Sequence, residues 1–268
     1  MSRKIVLKSP GQRHGPITRL ISPGDIGQLT KPFVFLDFIE APAGAGPQFG
    51  FHPHSGIATL TSPFTSDSEH ETSTGRIDRV HRGGLEWVIA GGGIRHRARP
   101  LGHDPIRGFQ LWISLPPSLE QAEPSAEFIE PGKVPKTGPV TVLFGSHDGA
   151  VATLKVPFDG NYLRVCLKDG DAWTYQPPGP HNIAWAFATS GVLEVSGEAL
   201  KRELAVFEEG NGPLQFRSRG DCDFLLGSAV KHPHELVLGP YSVHTSREAL
   251  AAGMKRITEI GVELKRAG

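Results

Sequence analysis

Short apolar runs separated by turn-forming residues dominate the hydrophobic pattern of the chain. The run 109–115 alternates apolar and polar positions, as a half-buried strand does, and Pro116 and Pro117 end it. Similar runs recur at a spacing of about ten residues with Gly, Pro, Asn and Asp between them, which is typical of β-sandwiches and β-barrels. The pattern predicts strands at 5–7, 33–38, 85–90, 109–115, 140–144, 162–167, 183–188, 191–195, 203–207 and 223–227.

Helical periodicity is confined to the end of the chain. Ser246 is a favourable N-cap residue, and Ile257, Ile260 and Leu264 follow it at helical spacing. Residues 118–139 are acidic and Pro-rich without periodicity, so they predict a linker. We therefore expect two successive all-β domains and a C-terminal helical tail, with boundaries at 1–130, 131–245 and 246–268.

Two glycine-containing segments predict tight turns in the first half. Residues 62–82 are polar and turn-forming, with one hairpin expected near Ser73, Thr74 and Gly75. The triple glycine 91–93 lies between two predicted strands, which indicates a tight reversal with positive φ or a close backbone approach. No helical pattern follows it, so a dinucleotide-binding loop is not the interpretation we adopt.

Composition and charge narrow the function classes. The 33 glycines and 23 prolines suit many short strands joined by turns. Because Lys+Arg and Asp+Glu both total 28, net charge gives no reason to expect nucleic-acid or anionic-membrane binding. No stretch approaches a transmembrane span. Two cysteines, Cys166 and Cys222, predict reduced buried thiols, and the N-terminus lacks the apolar core of a signal peptide, so a cytoplasmic protein is expected.

The sequence His52-Pro53-His54 carries the first candidate chemistry. Residues two apart on a strand project from the same face, so both imidazoles would enter one space. Pro53 stiffens the pair, because it fixes its own φ and pushes His52 towards an extended conformation. His96, after the triple glycine, supplies a third imidazole from another strand. Three such groups with open positions suit iron, nickel, copper, zinc or manganese, whereas the alternative is a polar loop that happens to contain histidines.

The remaining histidines give no comparable cluster in the sequence. A second His-Pro-His at 232–234 is predicted to be a solvated loop. His181 follows a Pro-rich segment and is predicted to be a turn residue. The histidines that we expect on the surface or in turns are His14, His70, His81, His103 and His147.

Several segments together resemble the pirin family of bicupins. They are residues 51–62, 84–96, 108–113 and 239–245, and the resemblance covers nearly the whole chain in the same order. It implies two tandem cupin barrels, which are double-stranded β-helices or jelly rolls, with one metal in the N-terminal barrel only. The ligands that the resemblance implies are His52, His54 and His96, while the family's fourth ligand, a glutamate, falls on Ala98.

The resemblance implies two kinds of function. One is a quercetin 2,3-dioxygenase-type enzyme with Fe(II), or another divalent transition metal, acting on a flavonol or related small aromatic. The other is a non-catalytic metal- or redox-responsive regulator that binds a protein partner, or a bicupin that has lost its metal. Ala98 weakens the first, because the missing carboxylate would also be the natural base for a flavonol hydroxyl.

Three groups are candidates to replace the missing carboxylate as the base. Glu71 or a group of the substrate is one possibility, and Glu86 is a candidate catalytic residue whose alternative is a surface or hydrogen-bonding role. Aromatic residues supply the expected apolar surroundings. Those that we expect to line the barrel, pack between strands or line a substrate pocket are Phe49, Phe51, Trp87, Phe109 and Trp112.

Overall fold

The computed structural model describes residues 3–47 and 49–267 and divides into two compact units. We call the described part of 13–133 and 232–268 the histidine unit, and the described part of 1–12 and 134–231 the second unit. Each unit therefore contains one terminal segment of the chain, whereas the predicted domains simply follow one another along the sequence. Those boundaries stay a prediction, and Met1, Ser2, Gln48 and Gly268, which fall within them, lie outside the described residues.

The elements of the first half are mostly short strands. They are β1 (Ile5–Ser9), β2 (Gln12–His14), β3 (Ile17–Ile21), helix α1 (Ile26–Thr30), β4 (Phe33–Ala41), β5 (Phe49–His54), β6 (Ile57–Pro63), β7 (Asp67–Thr72), β8 (Ile77–Val80), β9 (Leu85–Ile89), β10 (Ile94–Leu101), β11 (Ile106–Ser114) and β12 (Ser125–Ile129).

Strands also dominate the second half until the final helix. A 3-10 turn (Pro131–Lys133) precedes β13 (Lys136–Thr137), β14 (Val140–Phe144), β15 (Ser146–His147), β16 (Ala150–Val151), β17 (Gly160–Leu167), β18 (Ala172–Tyr175), β19 (Ile183–Val195), β20 (Glu198–Leu200), β21 (Leu204–Phe207), β22 (Leu214–Ala229), β23 (Val237–Gly239), β24 (Ser242–His244) and helix α2 (Arg247–Ala267).

The histidine unit is built from two main sheets. One has the strand order β12-β9-β6-β11-β4-β3-β2, the other has the order β5-β10-β7-β8, and β23 pairs with β24. All of the pairings in these sheets are antiparallel. Strand β11 lies between β6 and β4, and this central position explains why its apolar residues are buried. A buried core cluster lies between the sheets and includes Val34, Ile57, Val88, Ile94 and Trp112.

The second unit has one large antiparallel sheet. Its order is β1-β21-β19-β22-β17-β14-β13, with β18 also paired to β22 and β20 to β19. The N-terminal strand joins this sheet because Ile5–Ser9 pairs with β21. Its core is aromatic, with Tyr162, Trp185, Phe187 and Phe224 fully buried.

The prediction of an all-β protein with a C-terminal helix is confirmed. Helix α2 begins at Arg247, and the Ser246 hydroxyl caps it by accepting a hydrogen bond from the amide of Ala249 at 3.1 Å. The turn at the triple glycine is also present, because Gly91 has φ of 49° and a β-carbon there would lie 2.0 Å from the Ala122 carbonyl oxygen. Within the described residues, no helix combines the length and apolarity needed to span a membrane.

Other expectations need correction. The predicted strands 183–188 and 191–195 are one long strand, β19, which bends through bulges. The predicted linker contains β12, which pairs with β9, and helix α1 had no clear periodic signal. Both cysteines are free, but only Cys222 is buried and Cys166 is exposed, because neighbouring strands turn them to opposite faces.

Candidate metal centre

Strands β5 and β10 bring three histidines together. His52 and His96 are directly paired across these antiparallel strands, and His54 pairs with Ile94, two residues further along. Strand β5 is an edge strand, so Pro53 can sit within it without removing a central ladder hydrogen bond. The alternation of the strand then places His52 and His54 on the same face, as the sequence predicts.

The three imidazoles converge closely enough to share one ion. One ring nitrogen from each of His52, His54 and His96 lies within 4.8 Å of the others. The ring centroids are 4.4 Å apart for His52 and His96, and 5.0 Å apart for each of the other two pairs. Strand parity and the cross-strand pair therefore place three donors of the type that transition metals prefer around a common point.

Two backbone carbonyls fix the orientation of two rings. The Nδ1–H of His52 donates to the Gly50 carbonyl at 2.8 Å, and that of His54 donates to the Tyr241 carbonyl at 3.1 Å. This arrangement leaves the Nε2 lone pair of each ring available for another partner. His54 is further held by Trp112, whose ring meets it edge to face with centroids 4.8 Å apart.

All three rings favour the neutral form that can bind a metal. Burial lowers the pKa of His52, and burial together with the neighbouring His96 and His52 rings lowers the pKa of His54 well below its ordinary value. Burial also lowers the pKa of His96 to about 4, although the negative charge of Glu86 acts in the opposite direction. At neutral pH each ring therefore keeps one N–H and offers one nitrogen lone pair to a metal.

Unpartnered nitrogens test whether these residues fit a metal. His54 Nε2 and both ring nitrogens of His96 are buried and have no hydrogen-bond partner among the described residues. A buried polar atom without a partner is costly unless something else satisfies it. Three neutral imidazoles with free, converging nitrogens are what a divalent transition metal requires, so the donor set fits.

A pocket of about 620 Å³ opens above the three histidines. Phe35 and Trp112 stack in its wall with centroids 3.9 Å apart and planes within 7°. Arg19 and Asp37, which form a bidentate ion pair, supply a polar edge. Burial raises the pKa of Asp37, although Arg19 acts against this change. The volume is sufficient for a small organic molecule next to the imidazole cluster.

Comparisons with known proteins place this chain in a family. The Pirin family model matches residues 16–113. Human pirin is 34% identical over 227 residues, which cover 80% of this chain and 78% of that protein. The chain belongs to the pirin family. The expectation drawn from residues 51–62, 84–96, 108–113 and 239–245 is confirmed.

Solved structures confirm the cupin fold of this pirin. A quercetin 2,3-dioxygenase from Acinetobacter baumannii superposes with a TM-score of 0.89 at 19% identity, over 97% of this chain and 98% of that one. The bacterial pirin YhhW from Escherichia coli, in complex with nickel(II), has a TM-score of 0.65 at 20% identity, over 87% and 99% of the two chains. At these identities the likeness establishes the fold alone.

Ala98 is the position on which the family resemblance places a glutamate ligand. Ala98 lines the pocket with the three histidines, and it pairs with His70 on β7. His70 was predicted on the surface, but it is buried, with Nε2 2.8 Å from the Ser68 hydroxyl and Nδ1 2.8 Å from a Glu86 carboxylate oxygen. The sequence around residue 70 is polar and gives no strand signal, yet it forms β7, whose inner face carries the buried His70.

Glu86 lies behind the histidines and is fully buried. Its carboxylate accepts a hydrogen bond from the Thr61 hydroxyl at 2.8 Å and pairs with His70. Burial raises the pKa of Glu86, but the charges of His70 and His96 and these hydrogen bonds outweigh burial and lower the pKa to about 2. The predicted hydrogen-bonding role is therefore observed, whereas a surface position is not, and Glu86 does not line the pocket.

The C-terminal segment fastens the back of the site. The Ser55 hydroxyl donates to the Ser242 hydroxyl at 2.8 Å and lies 3.0 Å from His244 Nε2. His244 Nδ1 in turn is 3.3 Å from a Glu120 oxygen, and Thr245 donates to the same carboxylate twice, at 2.7 Å. These buried contacts hold the neighbours of Ser55 and Ser242, which are His54 and Tyr241, in register.

Two further histidine predictions need correction, and both residues are outside the cluster. His181 follows a turn, but its side chain is fully buried between Ser228 and Asp159, at 2.8 Å from each. His232 is 8% exposed and so not solvated, while His234 is exposed. Among the predicted aromatics, Phe49 and Trp112 line the pocket, and Phe51 instead packs under the Arg97 guanidinium.

Proposed function

We propose that this pirin binds a divalent transition metal through His52, His54 and His96 and binds a small aromatic molecule in the pocket above it. The observation that carries the proposal is the convergence of three buried imidazoles whose ligand atoms lie within 4.8 Å of one another. Unpartnered nitrogens on His54 and His96 support it, because a bound ion would satisfy them. Fe(II) is the first candidate, and nickel, copper, zinc and manganese are the alternatives.

When bound, such a metal supplies a Lewis acid with open coordination positions, and iron adds redox chemistry with oxygen. The chain's own residues set the remaining conditions. The carbonyls of Gly50 and Tyr241 hold two ligand rings in one tautomer, and Trp112 packs against His54. Glu86 and His70 support the cluster from behind, so we assign Glu86 a positioning role.

The pocket favours a flat ligand with polar substituents. Phe35 and Trp112 offer apolar surface, whereas Arg19, Asp37 and Gln110 offer hydrogen-bonding groups on one side. A flavonol or a related phenol has this combination, and the likeness to a quercetin 2,3-dioxygenase structure agrees with it. Asp37 is the carboxylate that lines the pocket within the described residues, and its raised pKa suits a group that accepts a phenolic proton.

Metal analysis and oxygen uptake together test this function. Purified protein and its His96→Ala variant are analysed by mass spectrometry for bound metal, and oxygen consumption is then followed with quercetin. We expect about one metal per wild-type chain, almost none in the variant, and oxygen uptake above that of free metal. Arg97→Ala is the matched control, since Arg97 is exposed on the same strand. Metal-loaded protein that consumes no more oxygen than free metal would contradict the enzymatic part.

One observation favours a second candidate function. Ala98 replaces the carboxylate that the family resemblance assigns to the site, and Asp37 is already paired with Arg19. A site with metal but without a free base suits a metal- or redox-responsive module that binds a protein partner. Metal-loaded protein without turnover, whose partner binding changes with metal oxidation state, would favour this function. A cytoplasmic location stays a prediction for either one.

A further inference from the structure

A second, smaller cavity adjoins the histidine pocket. It measures about 70 Å³ and is partly open to solvent, and its wall is predominantly apolar, with Ile106 and Phe109 among the lining residues. We call it the inner compartment. Five residues line both this compartment and the histidine pocket, so the two spaces adjoin at these side chains: Ile39, Phe49, His70, Ala98 and Gln110.

Ala98 has the smallest of these five shared side chains. Its methyl group occupies little of the junction, whereas any longer side chain at this position would extend into it. His70, the cross-strand partner of Ala98, is held at both ring nitrogens by Ser68 and Glu86, each at 2.8 Å. A ring fixed in this way does not rotate freely into the gap. The small side chain at position 98 therefore leaves the most room at the junction.

The size and polarity of the inner compartment define what enters it. An apolar cavity of about 150 Å³ holds a benzene ring or a xenon atom. A compartment of about 70 Å³ is matched to a group of two or three carbon atoms or to a single xenon atom. Its wall is mostly apolar, and the charged residues that line it are Arg99 and Arg107, so an apolar substituent suits it better than a cationic one.

Gln110 marks the polar contact between the two spaces. Its Nε2 is buried and has no hydrogen-bond partner among the described residues. An amide donor in this position is satisfied when a ligand places an acceptor oxygen beside it. Such an oxygen would lie between the part of the ligand at the histidines and the part in the inner compartment.

We propose that the ligand of this pocket carries a compact apolar substituent that passes Ala98 into the inner compartment, while its oxygen-bearing ring stays at the histidines. Gln110 donates a hydrogen bond to one of the ring oxygens. This inference rests on the proposed ligand-binding role of the pocket. It makes Ala98 a specificity-determining residue, since the same small side chain that removes a metal ligand admits the substituent.

Xenon tests the compartment without any metal. Crystals of metal-free protein are exposed to xenon under pressure, and anomalous scattering locates the bound atoms. We expect a xenon atom beside Phe109 in the wild type and none in Ala98→Leu. Ala252→Leu is the matched control, because Ala252 is exposed on helix α2, and it keeps the xenon atom. An empty compartment in the wild type, or xenon retained in Ala98→Leu, would overturn the inference.

Affinity for a pair of catechols tests the ligand itself. Binding of catechol and 4-ethylcatechol to nickel-loaded protein is measured by titration calorimetry. Each buried methylene adds about fourfold to affinity, so the ethyl group is expected to add about tenfold in the wild type and less than twofold in Ala98→Leu. Equal gains in both proteins would contradict the inference. If catechol itself does not bind, the proposed function fails, and the xenon result still decides the inference.

Discussion

The Glu86–His70 pair behind the histidine cluster gives the sharpest prediction of stability. The substitution Glu86→Gln keeps the shape of the side chain and removes its negative charge. Glu86 is fully buried, accepts from Thr61 at 2.8 Å and lies 2.8 Å from His70 Nδ1. Gln resembles the protonated carboxyl, so the variant shows what the ionised form contributes to folding.

The size of the expected destabilisation follows from the pKa of Glu86, which falls from the ordinary 4.5 to about 2. Burial raises this pKa, and the charges of His70 and His96 with the hydrogen bonds from His70 and Thr61 more than offset it. A tenfold change in the protonation equilibrium is worth about 1.4 kcal/mol, so the ionised form is favoured by about 3 kcal/mol in the folded protein. We expect Glu86→Gln to lower the free energy of unfolding by up to this amount at pH 7, where His96 is neutral and its charge no longer contributes.

Urea unfolding at two pH values provides the assay. Since the folded pKa is below the unfolded one, the contribution is complete above pH 4.5 and is lost as pH falls towards 2. The difference between wild type and variant should therefore shrink to about 1 kcal/mol at pH 3. Glu69→Gln is the control, because Glu69 pairs with Arg99 near the surface, where such pairs contribute about 0–1 kcal/mol.

Two outcomes would refute the reasoning. If Glu86→Gln costs no more than Glu69→Gln at pH 7, the buried carboxylate does not stabilise the fold as an ion. If the cost is the same at pH 7 and pH 3, the loss comes from packing and not from charge.

Three further predictions concern the cluster and the helix behind it. Ala98→Glu should raise nickel affinity by about tenfold or more, because it adds an anionic oxygen ligand; calorimetry showing equal affinities would argue against Ala98 facing the site. The free energy of unfolding of the metal-free protein should fall by up to about 3 kcal/mol between pH 6.5 and pH 4, because the pKa of His96 is lowered to about 4 and the unfolded chain takes up the proton first. Urea unfolding of His96→Gln should show a flatter dependence on pH. An unchanged pH dependence in that variant would contradict this prediction. Gly253→Ala should cost about 1–3 kcal/mol in thermal melts, since the new β-carbon would lie 2.6 Å from His244 Nε2 in the buried site. Gly261→Ala would meet the end of the Arg95 side chain at 2.8 Å, and that side chain can shift at the expense of its hydrogen bond to the Ile257 carbonyl, so this variant should cost less. Similar melting temperatures for both variants would refute this packing.

Strand parity explains why three site residues were predictable. His52 and His54 stand two residues apart beside Pro53, so an extended backbone places both on one face whatever the rest of the fold does. The position of His96 depends on pairing between β10 and β5; its place after the triple glycine predicted a partner strand, and the family resemblance agreed with that prediction. Short apolar runs likewise predicted the strands, since alternation is a local property of the chain.

The supporting residues could not be predicted in the same way. His70 lies in a polar stretch, and its burial depends on pairing with β10 and on Glu86. The partner of His54 is a backbone carbonyl at Tyr241, which no side-chain pattern reveals. Arg19 and Asp37 enter the pocket because β3 and β4 pair in one particular register. These are long-range pairings, and local propensity carries no information about them.

The late position of Tyr241 has a consequence for biosynthesis. The carbonyl that orients His54 follows it by 187 residues, and the residues of the second unit are translated in between. At about 5–20 residues per second, the ribosome needs on the order of 10–40 s to deliver that carbonyl after His54. The ring of His54 therefore lacks its Tyr241 partner during that interval, in which it can meet competing cellular metals and chaperones.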